Sequence, residues 1–286
     1  MKRIFAGNRS ASVPILMYHS ISENLFGKAH PYYQINTSPK IFAQQMNWLH
    51  ANGYRTMNLT ESYSALCTAA DVSKTVVITF DDGYRDFYTD AFAVMQKCGF
   101  TATIFIATDR IQDRSLRFDG ADYLTWSEVR ELHNAGITFG SHTVSHPILR
   151  SLQPAQIDHE LGHSKQIIEQ QLGAPVLSFA YPYAFPEEDK PFTRFLTDLL
   201  EKHGYSNGVS TIIGLARARH HRFFLPRLPI NSWDDPAFLR AKLAGAYDWL
   251  HWPQRLSKSL RRKPPVTQQS AWTLNAAGPS DSPKSS

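Results

Sequence analysis

Three short stretches hold residue types that can do chemistry together. In Thr79-Phe80-Asp81-Asp82-Gly83-Tyr84, two adjacent carboxylates close an apolar, β-branched run. Such neighbours repel, and burying them is costly unless a cation removes the repulsion. In a regular strand they point to opposite faces, so the backbone must turn for both to share a site, and Gly83 relaxes it there. In Ser141-His142-Thr143-Val144-Ser145-His146-Pro147, two imidazoles stand four apart, a spacing that faces both one way in a helical turn. Asp82, His142 and His146 would leave coordination positions open for water and substrate, as a catalytic ion requires. In Ser178-Phe179-Ala180-Tyr181-Pro182-Tyr183-Ala184, Pro182 fixes the chain and aims the Tyr183 backbone N–H at a developing oxyanion. Each stretch also has an ordinary reading: a solvated Asp-Asp-Gly turn, a chance pair among twelve histidines, an aromatic turn on a rim. Position raises the odds, because every one follows a strand-like run.

The elements behind them alternate. Val13 to Tyr18 reads as a buried strand that delivers His19 to a surface, and Thr75 to Phe80 as the strongest strand of the chain. Further strands are expected at Thr101 to Ala107, Ile137 to Gly140, Val176 to Ala180, Tyr205 to Ser210 and Phe223 to Leu228. Between them, helices are expected after Ser38-Pro39, over Phe87 to Lys97, from the Thr125–Glu128 capping box to Gly136, from Pro154 to Gly173, near Thr193 to Lys202 and after Pro236. Strands alternating with helices predict a parallel α/β sheet, and this many strands favour a closed or nearly closed (β/α) barrel, with an open doubly wound sheet as fallback. Active sites of such folds form at the carboxyl ends of strands, where all three stretches fall.

Composition bounds the rest. With 286 residues, 42% of them hydrophobic and 12% aromatic, the chain has a substantial core. It lacks a long apolar run, and Asn8, Arg9 and Ser10 interrupt the N-terminus, so a cytoplasmic location is expected. Cys67 and Cys98 read as buried or half-buried free thiols. The net charge of +5 fits an anionic partner without calling for nucleic acid. Trp249-Leu250-His251-Trp252 and the basic run through Arg255, Lys258, Arg261, Arg262 and Lys263 read as a terminal helix and tail, with weak membrane-surface association as the alternative. Arg217, Arg219, His220, His221 and Arg222 read as a solvated loop, or a contact for an acidic sugar or phosphate.

Taken together and in this order, the three stretches resemble the polysaccharide deacetylase family of chitin, peptidoglycan and poly-N-acetylglucosamine deacetylases. The Thr-Phe-Asp-Asp-Gly and His-Thr-x-x-Ser-His elements carry the resemblance, which spans roughly Val13 to Ile230. It implies a distorted (β/α) barrel of about seven parallel strands and a divalent ion, usually zinc, held by Asp82, His142 and His146. It also implies Asp81 as catalytic base and Tyr183 as an oxyanion-hole donor. Leu16-Met17-Tyr18-His19-Ser20 is similar to the N-terminal motif of the circularly permuted branch, which includes exopolysaccharide deacetylases and implies His19 as general acid. Ala180 stands where the family usually has an arginine paired with the catalytic Asp. Leu225-Pro226-Arg227 implies Arg227 as its substitute, against a plain rim arginine. The usual late Leu-x-His motif is missing, in agreement with His19 replacing it.

The implied unit is a catalytic domain over 10–254 with a basic, disordered tail over 255–286. The implied activity is removal of N-acetyl groups from amino sugars of a polysaccharide or glycan. An O-acetyl carbohydrate esterase and an inactive glycan-binding module are the rivals.

Overall fold

The computed structural model describes residues 11–23, 36–114, 117–118 and 120–247. The aromatic and basic stretches from Trp249 onward, and the tail over 255–286, lie outside the described residues.

Parallel pairing runs in sequence order through β1 (Ile15–Tyr18), β2 (Thr75–Phe80), β3 (Thr103–Ile106), β4 (Thr138–Ser141), β5 (Ser178–Ala180), β6 (Asn207–Ile213) and β7 (Leu225–Pro229). β7 then pairs with β1, Leu228 opposite Leu16, and the ring of seven closes. Distortion is visible at β2. Its first half pairs with the two-residue strand Arg55–Thr56, and only its last residues meet β3. The expected distorted barrel of seven strands is the observed fold.

Crossovers follow the sequence signals closely. α1 (Pro39–Ala51) starts under a Ser38 cap, α4 (Trp126–Asn134) under the Thr125 capping box, and α5 (Pro154–Leu172) ends at left-handed Gly173. α3 (Phe92–Lys97) is preceded by a π-helical turn, Phe87–Ala91, where a continuous helix was expected. α6 (Lys190–Lys202) begins earlier than expected because Asp189 caps it. α7 (Pro236–Leu243) follows the last strand. α2 (Leu59–Cys67), capped by Asn58, was not foreseen. Cys98 is buried, but Cys67 is exposed at the end of α2, against the expectation of two sheltered thiols. β6 passes to β7 with no helix between them. No helix among the described residues is long and apolar enough to cross a membrane.

Strand period sorts the core into two clusters. Ile15, Val77, Phe105, Ala180, Val209 and Leu225 pack together as the barrel interior. Gly140 of β4 makes room for Phe105, since a Cβ there would come within 2.5 Å of the ring. Leu59 and Leu66 of α2 join this cluster with Val13, Val72 and Ala216, and so cover the amino ends of the strands. The alternate residues, Leu16, Ile78, Ile104, Phe179 and Leu228 among them, pack outward against the helices. Two residues beyond the interior layer come Thr79 and Arg227, and after them Asp81. The apolar layer is therefore a dry floor beneath the carboxyl ends of the strands.

Candidate active site

Asp81 prolongs β2, its N–H donating to Tyr18 O at 3.0 Å, so its side chain shares the inward face of Thr79. Asp82 then adopts a left-handed φ of 72° and Gly83 one of 75°. The turn expected at Gly83 thus begins one residue earlier, in an aspartate held in a sparsely populated conformation. Gly83 is needed for space as well, because a Cβ there would lie 2.9 Å from Ile106 Cγ2. The two carboxylates diverge as a result and meet different partners.

Arg227 meets the first. Its Nη1 and Nη2 donate to Asp81 Oδ1 and Oδ2, both at 2.7 Å, while Nη1 also reaches Thr79 Oγ1 at 3.2 Å and Nε reaches Ser210 O at 3.1 Å. At 1% exposure it is no rim arginine. Burial pushes the Asp81 carboxyl up, but the Arg227 guanidinium, together with His142 and His19, outweighs that and holds it well below the usual carboxylate range. Asp81 is therefore ionised under all ordinary conditions. His19, half-buried at the end of β1, places Nε2 3.9 Å from Asp81 Oδ2.

Asp82 faces the two imidazoles. Its Oδ1 lies 3.7 Å from His142 Nε2 and 3.2 Å from His146 Nε2, and the two Nε2 atoms are 3.1 Å apart. The helical turn expected to align the histidines is absent. His142 continues the β4 ladder through its N–H to Ile106 O, and left-handed Thr143 (φ 72°) and His146 (φ 57°) fold the second ring back onto the first. Asp82 Oδ1 is buried and accepts no hydrogen bond. His142 Nδ1–H donates to Ala180 O at 2.8 Å, which leaves Nε2 as a bare lone pair. Burial pushes both imidazoles down, His146 to about 3, so each is neutral near pH 7. Asp82 Oδ1, the bare His142 Nε2 and the His146 Nε2 converge as a donor set that suits a cation. Ligand bonds of about 2.0–2.1 Å in a tetrahedron set ligands roughly 3.3 Å apart, close to the separations found here.

Tyr183 lies beside this cluster, its ring 4.7 Å from that of His146 and its backbone left-handed at φ 57°. Among the described residues, no acceptor takes its N–H. Its carbonyl accepts from Thr211 Oγ1 at 3.0 Å.

Two residues missed in the sequence support the site. Glu160 of α5 accepts from the Val144 and Ser145 N–H groups at 2.8 and 3.0 Å and from Ser145 Oγ at 2.7 Å, which pins the histidine loop. Its signal was available: Glu160 falls among Ile157, Leu161, Ser164 and Ile168 on the buried face of α5. Arg110 donates to Tyr123 OH at 2.9 Å, and its charge helps keep His146 neutral.

Residues 69–207 match the family model described as polysaccharide deacetylase. YxkH of Bacillus subtilis, which bears a polysaccharide deacetylase name, is 33% identical over 224 residues, covering 78% of this chain and 73% of that one. The chain belongs to the polysaccharide deacetylase family. Among solved structures, the Streptococcus pyogenes deacetylase PplD in complex with acetate superposes with a TM-score of 0.69 at 27% identity, covering 82% of this chain and 99% of that one. The poly-beta-1,6-N-acetyl-D-glucosamine N-deacetylase of Staphylococcus aureus is 23% identical over 206 residues, covering 69% of this chain and 68% of that one.

Proposed function

We propose that residues 10–254 form a divalent-metal-dependent hydrolase that removes N-acetyl groups from the amino sugars of a polysaccharide or glycan intermediate. The observation that carries this reading is the meeting of two dissimilar carboxylates at one point. Asp82 faces two neutral imidazoles, and Asp81 beside it is kept charged by a buried guanidinium.

Asp82, His142 and His146 would hold the ion, with zinc as the expected metal. When bound it supplies Lewis acidity that polarises the acetyl carbonyl and acidifies water. Asp81 accepts a proton from the attacking water and remains oriented by its two bonds to Arg227. The free Tyr183 N–H supports the negative charge that grows on the carbonyl oxygen, a donor class worth about 2.7–4 kcal/mol elsewhere. His19 hands a proton to the departing nitrogen, a step an amide needs because its anion leaves poorly. The S. aureus relative, named as a poly-beta-1,6-N-acetyl-D-glucosamine N-deacetylase, supports the same substrate class.

Stripping the ion with a chelator is expected to abolish acetate release from a short N-acetylglucosamine oligomer, with zinc restoring it. Release that persists at full rate in chelator would overturn the metal assignment. The His19→Ala variant separates the amide from the ester reading. Its loss is expected to be about 10²–10⁴-fold on the N-acetyl substrate and far smaller on an O-acetyl sugar, whose alkoxide leaves more easily. Equal losses on both would remove His19 from the proton-donor role.

A further inference from the structure

A second concavity, about 710 Å³ in volume, lies on the barrel flank and includes none of the proposed catalytic or metal-binding side chains in its lining. Its origin is topological. A parallel crossover normally covers the sheet with a helix, but β6 reaches β7 through 214–224 without one. The space left beside α6 stays open as a groove.

The groove is chemically one-sided. Lys190, Arg194, Arg217, Arg219, His220 and His221 line it, with Glu187 as the single acid. His220 Nδ1 accepts the Arg217 N–H at 3.1 Å and His221 Nδ1 accepts the Phe223 N–H at 3.3 Å. Each neutral ring therefore carries its proton on Nε2 and is a donor there, like the cationic groups around it. Arg194 and Arg219 are exposed and form no hydrogen bond or ion pair with the described residues. The wall beneath this rim is aromatic. Phe185 stacks on Phe224 at 4.5 Å, and Phe224 stacks on His221 at 5.1 Å.

The groove also adjoins the site. Thr211 Oγ1 donates to Tyr183 O and accepts the Phe185 N–H at 2.9 Å, so one hydroxyl clamps a three-residue lip. Tyr183 faces the histidines from one end of that lip, and Phe185 lines the groove at the other.

We infer that this groove binds an acidic sugar residue of the same glycan whose acetyl group is removed at the neighbouring site. Arginine donors suit the oxygens of a carboxylate or phosphate, and the exposed His221 ring that caps the Phe185–Phe224 stack offers its outer face to the apolar face of a pyranose ring. A polymer crossing the lip reaches both places at once. The inference rests on the glycan reading of the function, and its test is built to fail independently.

The probe is a galacturonate hexamer, which carries no acetyl group, titrated calorimetrically into the full chain beside a neutral glucose hexamer. At about 0.05 M salt the acidic hexamer is expected to bind at least about tenfold tighter, and the preference should shrink as salt rises. The Arg194→Glu/Arg219→Glu double variant should lose that preference while keeping its melting midpoint, because both side chains are exposed. Equal affinity for the two hexamers, or a preference that survives in the double variant, would overturn the inference. So would anionic-lipid vesicles that occupy the groove in preference to the hexamer. Acetate release plays no part in these readouts, so failure of the deacetylase reading would show separately.

Discussion

Acetate release is expected to fall about 10²–10⁴-fold when Asp81 is replaced by Asn, with metal content unchanged, because only the proton acceptor is removed. Asp82, His142 and His146 should keep their positions, since the Asp81 carboxylate is hydrogen-bonded to Arg227 and not to any of the three. Asn is nearly isosteric and its amide oxygen still accepts from one arm of the guanidinium. The second arm loses its acceptor, and a buried charge now faces a neutral group. Removing one partner of a buried pair outright costs about 3–5 kcal/mol, and retention of one bond should leave the variant below that range. Acetate release, bound metal and urea unfolding therefore belong in one experiment. Turnover near the wild-type rate in a folded, metal-loaded variant would mean that another group accepts the proton.

The second large effect is expected from Arg227→Met. Methionine fills much of the space but leaves the Asp81 carboxylate buried without either 2.7 Å bond. Burial drives its pKa upward, and the guanidinium that opposes burial most strongly is gone. The acid limb of the pH–rate profile should move to higher pH, with less of the base ionised at any pH below neutrality. Stability has the same origin. A depressed carboxyl pKa contributes stability above the unfolded value near 3.9, and that contribution is lost as pH falls through the lower folded value. In the Met variant this term should vanish, with a loss of about 3–5 kcal/mol at neutral pH. Arg227→Lys should recover little, because a single ammonium cannot engage both oxygens at once. An unchanged acid limb together with unchanged stability would show that the pair does not set the state of Asp81.

Much of this was legible in the residues. Period and punctuation located every barrel strand, because Thr75–Phe80 and its counterparts are apolar, short and bounded by cap or turn signals. α2 escaped because its apolar positions, Leu59 and Leu66, serve the barrel floor instead of the outer layer of helices. The trio proposed to hold a metal was legible as chemistry, while its geometry was not. Left-handed backbone at Asp82, Thr143 and His146 brings the atoms together, and residue type gives no notice of it at non-glycine positions. Arg227 could be placed only as one of two alternatives, since an arginine in an apolar strand becomes intelligible only when Asp81 is seen across the barrel. Glu160 had a periodic signal, but its partners are backbone N–H groups of a distant loop.

The seam of the ring joins Leu16 to Leu228, segments more than two hundred positions apart. During synthesis β1, β2 and their neighbours emerge with nothing to complete the ring, and two strand edges stay open until β7 leaves the ribosome. Long-range closure of this kind slows folding and lengthens exposure of unpaired backbone to other chains. Overexpression at lower temperature, or a chaperone that occupies the open edges, should therefore raise soluble yield more than any surface substitution. A product terminated before Leu225 should aggregate, because both β1 and β6 would then lack the strand that lies between them.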